Sequence, residues 1–140
     1  MRIVLNTRSD DAGSRVCVVE LGARLRAAGA EATVGDWGRY DRYDVAVFMG
    51  YDHELEEARR QNPRIRVVLA DPKLSRPDRA AAARAADLLL VSSVEQREAF
   101  LSLNRNVHVH FMFPDVPSYE RRHDEHEPVV IAYHGNRAHL

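Results

Sequence analysis

The sequence predicts an α/β protein built on a doubly wound, six-stranded parallel sheet of the Rossmann-like or flavodoxin-like type. Two observations predict this class. Short, near-continuous apolar segments recur along the chain, and segments with apolar residues at helical spacing separate them. Buried parallel strands need helices on both faces, and right-handed crossovers then wind the sheet in both directions. We expect the strand order 2-1-3-4-5-6, with a dinucleotide-fold order as the alternative.

The first elements are a strand at residues 2–6 (RIVLN) and a helix over about residues 15–28. Ser14 is a suitable N-cap for this helix, and Gly29 stands where a left-handed helix end is expected. A second strand follows at residues 30–34.

Residues 35–43 contain two glycines and no helical period, so we expect an irregular segment. At about 3.3 Å per residue it is long enough to recross the sheet in extended form. A third strand is predicted at residues 44–49, a short charged helix at 53–61, and a fourth strand at 65–70.

The remaining elements of the sheet follow the same alternation. An alanine-rich helix is predicted at residues 79–86, with Pro77 fitting its first turn. A fifth strand at 87–91 leads into Ser92-Ser93, which can cap a helix reaching about Leu103. A sixth strand is predicted at residues 106–111.

The character of the chain changes after residue 113. Residues 114–128 hold three prolines among dense charges, which is typical of a linker. Residues 129–133 (VVIAY) then form another apolar strand-like run. We therefore predict a domain at 1–113, a linker at 114–128 and the start of a truncated second domain at 129–140.

Composition excludes several classes of function. The chain has 140 residues, 45% of them hydrophobic and 29% charged, which suits one globular domain. The net charge of −1 gives no electrostatic reason to bind nucleic acid or an anionic membrane. No apolar run approaches the roughly 20 residues of a membrane span, and no signal peptide is recognisable. The sequence predicts a cytoplasmic protein whose single cysteine, Cys17, forms no internal disulfide.

Three loops at the carboxyl ends of the predicted strands are candidate ligand contacts. In the first, Gly13, Ser14 and Arg15 could hold an anion such as a diphosphate at the start of a helix, or could serve only as turn and cap. In the second, His53 could act as a general base or be an ordinary first-turn residue. In the third, Asp71 and Lys73, the only lysine of the chain, bracket a proline.

Other candidates are weaker, and no cofactor or metal is predicted. The chain has no GxGxxG, which argues against a dinucleotide. His108 and His110 alternate on one strand face, but no third ligand is placed beside them. Cys17 lies among valines and is interpreted as core. Trp37 and Tyr40 could stack on a sugar ring or close the sheet.

The order of several motifs resembles the N-terminal half of a GT-B glycosyltransferase of the large retaining family called glycosyl transferases group 1 (family four). Residues 43–47 (YDVAV) are similar to its "YDVV" strand, and residues 86–93 (ADLLLVSS) to "AD.vi.vS". Residues 109–116 (VHFMFPDV) resemble "v.viPNGVD". Residues 131–136 (IAYHGN), with His139, resemble "i.Y.G...H" in the second domain. The chain has Asp71-Pro72-Lys73 where many members carry a histidine.

The resemblance implies transfer of a sugar from a nucleotide-sugar donor to an unknown acceptor, across a cleft between two domains. It implies that Ser92, Ser93 and Glu95 line this cleft, and that the first loop, with Gly13, Ser14 and Arg15, faces the donor diphosphate or the acceptor. It further implies that Gly135 and Asn136 begin the donor side. We expect the 140-residue chain to lack much of that donor side and to be inactive by itself, needing a C-terminal domain or a separate partner chain.

A free-standing flavodoxin-like binding or signalling module is the alternative. A phospho-acceptor module needs an acidic cluster after the first strand and an aspartate ending the third. Asp10 and Asp11 are present, but the third predicted strand ends in Met49-Gly50.

Overall fold

The computed structural model describes residues 1–110, which form a six-stranded sheet in which every neighbouring pair of strands is parallel. The strand order is β2-β1-β3-β4-β5-β6. The predicted Rossmann-like α/β class and the predicted order are confirmed, and the dinucleotide-fold order is wrong. The strands are β1 (Arg2–Asn6), β2 (Glu31–Val34), β3 (Val45–Met49), β4 (Arg66–Ala70), β5 (Leu88–Val91) and β6 (Val107–Val109).

Helices follow four of the strands. After β1, α1 (Ala12–Ser14), a π-helical stretch (Arg15–Glu20) and α2 (Leu21–Ala27) succeed one another without interruption, and we call them together helix 12–27. The other helices are α3 (Leu55–Gln61), α4 (Pro77–Ala85) and α5 (Val94–Phe100). Pro77 occupies the first turn of α4, as predicted.

The start of helix 12–27 corrects one prediction, because Ser14 is not its cap. Asp11 is the N-cap, and its Oδ1 accepts a hydrogen bond from the Ser14 backbone N–H at 2.7 Å. An aspartate in extended backbone conformation can cap as well as a serine, so the helix begins three residues earlier than expected. At the other end Gly29 adopts the predicted left-handed conformation, with φ of +87°.

Each face of the sheet has its own apolar core. On one face, Cys17 and Val18 of helix 12–27 pack on Leu5 and Val47. On the opposite face, side chains of α3, α4 and α5 pack on alternate strand residues such as Phe48 and Leu89. Successive side chains of a strand point to opposite faces of the sheet. Because both faces are covered, the strands read as near-continuous apolar runs in the sequence.

The connection from β2 to β3 crosses β1 without a helix. As predicted, it is irregular, apart from one 3₁₀ turn at Tyr40–Arg42. The ring of Tyr40 is fully buried and packs edge-on against Phe48, with 5.7 Å between ring centroids. Its hydroxyl donates to Glu54 Oε2 at 2.7 Å, and its backbone N–H donates to Gln61 Oε1 at 2.8 Å. One aromatic residue therefore fills the space that a crossover helix would cover.

The loops after β3 and β4 touch through their backbones. The Gly50 N–H donates to the Ala70 carbonyl at 2.8 Å, and a Cβ on Gly50 would lie 2.4 Å from the Pro72 Cα. Pro72 is buried, and Asp71 before it has a φ of +49°. This left-handed conformation costs a non-glycine residue roughly 1 kcal/mol, least for Asp and Asn. The contact fixes the direction of the turn after β4.

At the amino edge of the sheet, Asp87 joins β4 and β5. Its carboxylate accepts hydrogen bonds from the Val67 N–H at 2.8 Å, from Arg66 Nη1 at 2.9 Å and from Arg59 Nη2 at 3.1 Å. Burial raises the pKa of this carboxyl, but the hydrogen bonds and the two guanidinium charges outweigh burial and lower it.

Several predictions fall on residues outside the described range. These are the last residue of the predicted sixth strand, the linker at 114–128 and the predicted start of a second domain at 129–140, with Gly135 and Asn136. Within residues 1–110, none of the helices combines the length and apolarity that crossing a bilayer requires.

We predict that Gly50→Ala lowers the free energy of unfolding by about 1–3 kcal/mol, because the new methyl group meets backbone that cannot turn away. Urea denaturation measures the change. Gly13→Ala is the matched control, since its Cβ would approach only the Asp11 side-chain oxygen, at 3.3 Å. Equal effects of the two substitutions would contradict the close backbone contact.

We predict that Asp87→Asn costs about 1–3 kcal/mol of stability at pH 7, because charged hydrogen bonds at a part-buried site are lost. The folded pKa of Asp87 is lowered, so its stabilisation is present above the unfolded pKa of about 3.9. It disappears as the pH falls through the folded pKa. The difference between wild type and variant should therefore shrink below about pH 4.

Urea denaturation between pH 7 and pH 3 tests this, with Asp10→Asn as the control at an exposed aspartate. A difference between wild type and Asp87→Asn that stays constant with pH would contradict the prediction.

Candidate functional site

A cavity of about 430 Å³ opens at the carboxyl edge of the sheet, between the start of helix 12–27 and the loops after β4 and β5. Four residues predicted from the sequence meet in it, namely Gly13, Asp71, Lys73 and Ser92. Among residues 1–110, those that line the cavity are Ala12, Gly13, Val16, Cys17, Asp71, Lys73, Ser92 and Gln96. In an open parallel sheet this edge is where ligands bind.

The apolar wall of the cavity comes from the π-helical stretch. Val16 and Cys17 both lie on it and both line the cavity. A π-helical segment is rare and occurs frequently at functional sites, because the wider turn redirects side chains and loosens backbone hydrogen bonds. This segment could not be predicted, since its residues fit an ordinary α-helical pattern equally well.

The polar wall is dominated by an ion pair from the turn after β4. Lys73 Nζ donates to Asp71 Oδ1 at 2.8 Å, and the two side chains are 41% and 19% exposed. The ammonium group has three N–H donors and the carboxylate has two oxygens, so the pair can still offer both donors and acceptors to a ligand. Its position is set by the buried Pro72 and the left-handed backbone of Asp71.

The loop after β5 adds a hydroxyl and an amide. Ser92 donates to Gln96 Oε1 from both its N–H and its Oγ, each at 2.8 Å. Ser93 caps α5, with its Oγ accepting from the Gln96 N–H at 3.2 Å. Gln96 was not predicted as a site residue. The signal was present, because glutamine three residues after a capping serine is a capping-box pattern.

Cys17 is protonated in this site. Burial, together with the nearby Asp71 carboxylate, raises the pKa of the thiol to about 12, although the Lys73 ammonium opposes the shift. The thiol is 2% exposed. At neutral pH it is therefore a small apolar wall residue, as interpreted from the sequence, and not a nucleophile.

Ser14 is buried beside the cavity rather than exposed to a ligand. Its Oγ lies 2.9 Å from the Tyr51 hydroxyl, which donates to Asp11 Oδ2 at 3.2 Å. Ser9 donates its hydroxyl to the same carboxylate oxygen. These bonds tie the first loop to the loop after β3, so Ser14 positions the cavity's edge.

A second network, centred on Arg8, lies at the point where the strand order reverses, between β1 and β3. Arg8 contacts Asp52 Oδ1 through Nη1 at 2.7 Å and pairs with Glu54, while its guanidinium stacks on Trp37 at 3.9 Å. The Trp37 ring is therefore stacked against a charged side chain of the protein itself. Arg8 was not predicted from the sequence, because its two carboxylate partners lie more than 40 residues away.

The structure separates three predicted residues from the cavity. His53 lines a groove of about 710 Å³ between α3 and α4, on the other face of the sheet. Burial lowers the pKa of His53, while Asp52 and Asp78 oppose the shift. Arg15 and Glu95 are exposed and are not among the residues lining the cavity.

Within residues 1–110, no three His, Cys, Asp or Glu side chains are grouped closely enough to hold a metal ion. His108 lies exposed on the edge strand β6, and the His110 N–H extends the ladder by donating to the Val91 carbonyl at 2.8 Å.

The chain was compared with protein-family models, with curated proteins and with solved structures, and none of the three comparisons gave a match. The resemblance to glycosyltransferases therefore stays a prediction from motif order.

We predict that Cys17 in the folded protein reacts with a disulfide reagent at pH 8 at least about a thousandfold more slowly than in the urea-unfolded chain. The thiolate is the reactive form, and a pKa of about 12 makes it scarce. Absorbance of the released thiol gives both rates. A folded rate within tenfold of the unfolded rate would contradict the placement of Cys17.

Proposed function

We propose that residues 1–110 form the acceptor-side domain of a nucleotide-sugar-dependent glycosyltransferase, and that the carboxyl-edge cavity contacts its substrate. The observation that carries the proposal is that the start of helix 12–27 and the loops after β4 and β5 bring residues distant in sequence into one cavity, namely Gly13, Asp71, Lys73 and Ser92. The motif order that resembles the glycosyltransferase family is the second support.

The lining of the cavity suits a ligand with hydroxyl groups. Val16 and Cys17 supply an apolar surface, while Asp71, Lys73 and Ser92 supply charged and neutral hydrogen-bonding groups opposite. A small number of polar groups around an apolar wall is typical of small-molecule sites. A carboxylate beside an ammonium group can accept from one hydroxyl and donate to its neighbour with charge-assisted hydrogen bonds.

Residues 1–110 contribute one wall of the active site in this proposal. The donor side is assigned to residues after the predicted linker, beginning with Gly135 and Asn136, or to a partner chain. Sugar transfer depends on holding donor and acceptor together in a closed, preorganised cleft. We therefore assign substrate binding to this domain and leave the catalytic residue unassigned.

The sheet order favours a second candidate, a flavodoxin-like module that binds a ligand without transferring a sugar. A phospho-acceptor version is disfavoured, since Asp11 caps a helix and β3 ends at Met49. A module of this class would bind a nucleotide or flavin, and a sugar attached to the nucleotide would not increase the affinity.

Calorimetric titration of the 140-residue chain with nucleotide sugars and simple glycosides tests the proposal. We expect binding that Lys73→Met and Ser92→Ala each weaken by roughly tenfold, the effect of losing one hydrogen bond to a charged or buried group. The matched controls are Arg84→Met and Ser102→Ala, which change exposed residues away from the cavity.

Absence of binding at millimolar concentration, or equal affinity in Lys73→Met and its control, would overturn the proposed function. Binding of nucleotide or flavin alone, with no gain from the sugar, would support the alternative module instead.

A further inference from the structure

The amino edge of the sheet carries a second cleft, which the proposed function does not use. It has a volume of about 630 Å³ and lies between the end of α3 and the starts of β4 and β5. Its polar side chains are Arg59, Arg64, Arg66 and Asp87. We call this cleft, with its three arginines, the arginine cleft. The lining contains three arginines and one aspartate, so the arginine cleft has a net positive charge.

Asp87 orients two of the three guanidinium groups. Arg66 donates to Asp87 Oδ1 through Nη1 at 2.9 Å. Arg59 donates through Nη2 to Asp87 Oδ2 at 3.1 Å and to the Ala85 carbonyl at 2.6 Å. A guanidinium group has five N–H donors, so both arginines keep further donors for a ligand while their positions are fixed.

Arg64 has no side-chain hydrogen bond or ion pair to any other residue in the range 1–110. Its backbone is nevertheless held in place. The Arg64 N–H donates to Asn62 Oδ1 at 3.1 Å, and the next residue, Ile65, is buried and donates its N–H to the Asn62 carbonyl at 3.0 Å. The chain therefore presents a third guanidinium group at the cleft with its charge unneutralised by described residues.

We propose that the arginine cleft binds a phosphoryl group carried by a small molecule. One or two guanidinium groups are enough to pair with a single carboxylate, and Asp87 is already the carboxylate that pairs with them in this cleft. A phosphoryl group carries about two negative charges near pH 7 and three acceptor oxygens, enough to engage several forks at once. The cleft lies at the opposite edge of the sheet from the cavity, so this proposal is independent of the proposed function.

Inorganic triphosphate and ATP are the probes, titrated into the 140-residue chain at constant ionic strength and followed by calorimetry. We expect both to bind. Similar affinities would show that the phosphate chain alone is recognised, and tighter ATP binding would show that a nucleoside contact is added. Both outcomes support the site and distinguish the two sources of the phosphoryl group.

Arg64→Ala is the decisive variant, because the folded structure does not depend on this side chain. We expect it to weaken triphosphate binding by roughly tenfold and to make the affinity less sensitive to salt. Arg64→Lys should recover part of the affinity, since it keeps the charge but loses the planar fork. Arg84→Ala, at an exposed arginine of α4 outside the cleft, is the matched control.

Equal weakening by Arg64→Ala and Arg84→Ala would mean non-specific attraction to an arginine-rich surface, and would overturn the proposal. Absence of triphosphate and ATP binding at millimolar concentration would overturn it as well. Thermal denaturation of each variant confirms that the protein is folded during the titration.

Discussion

The architecture depends on the buried ring of Tyr40, which lets the chain cross from β2 back over β1 without a helix. The ring packs on Phe48, and its hydrogen bonds to Glu54 and Gln61 join the crossing to α3. The hydroxyl is buried against the Glu54 carboxylate. Removing the hydroxyl would leave Arg8 as the main partner of Glu54. The position of β3 beside β1, and hence of every later strand, follows from this crossing.

The two edges of the sheet are built in different ways. At the carboxyl edge, the contact of Gly50 with Pro72 directs Asp71 and Lys73 toward a cavity with an apolar wall. At the neighbouring reversal point, Arg8 is paired with Asp52 and Glu54 of the chain itself. At the amino edge, Asp87 uses its charge to hold two arginines, and the cleft beside it is lined by three arginines and this one carboxylate. A hydroxylated ligand suits the first edge and a phosphoryl group the second.

The strands and their order were predictable because buried parallel strands leave near-continuous apolar runs and the connections are short. Features that depend on distant partners were not. The local sequence predicts Ser14 as a cap, because its burial against Tyr51, 37 residues away, leaves no local signal. The position of His53 after β3 predicts a place among the carboxyl-edge loops, but the segment between β3 and α3 puts it in the groove between α3 and α4. Gln96 could have been predicted, since the capping serine three residues earlier is a local signal.

We propose the carboxyl-edge cavity as the ligand site of this domain. Backbone amide chemical shifts of the isotope-labelled 140-residue chain, recorded during titration with a panel of nucleotide sugars and glycosides, test it most directly. The account predicts that the largest shifts fall in residues 12–17, 71–73 and 92–96, which surround the cavity. Shifts confined to the groove between α3 and α4, or the absence of any localised shift across the panel, would contradict it.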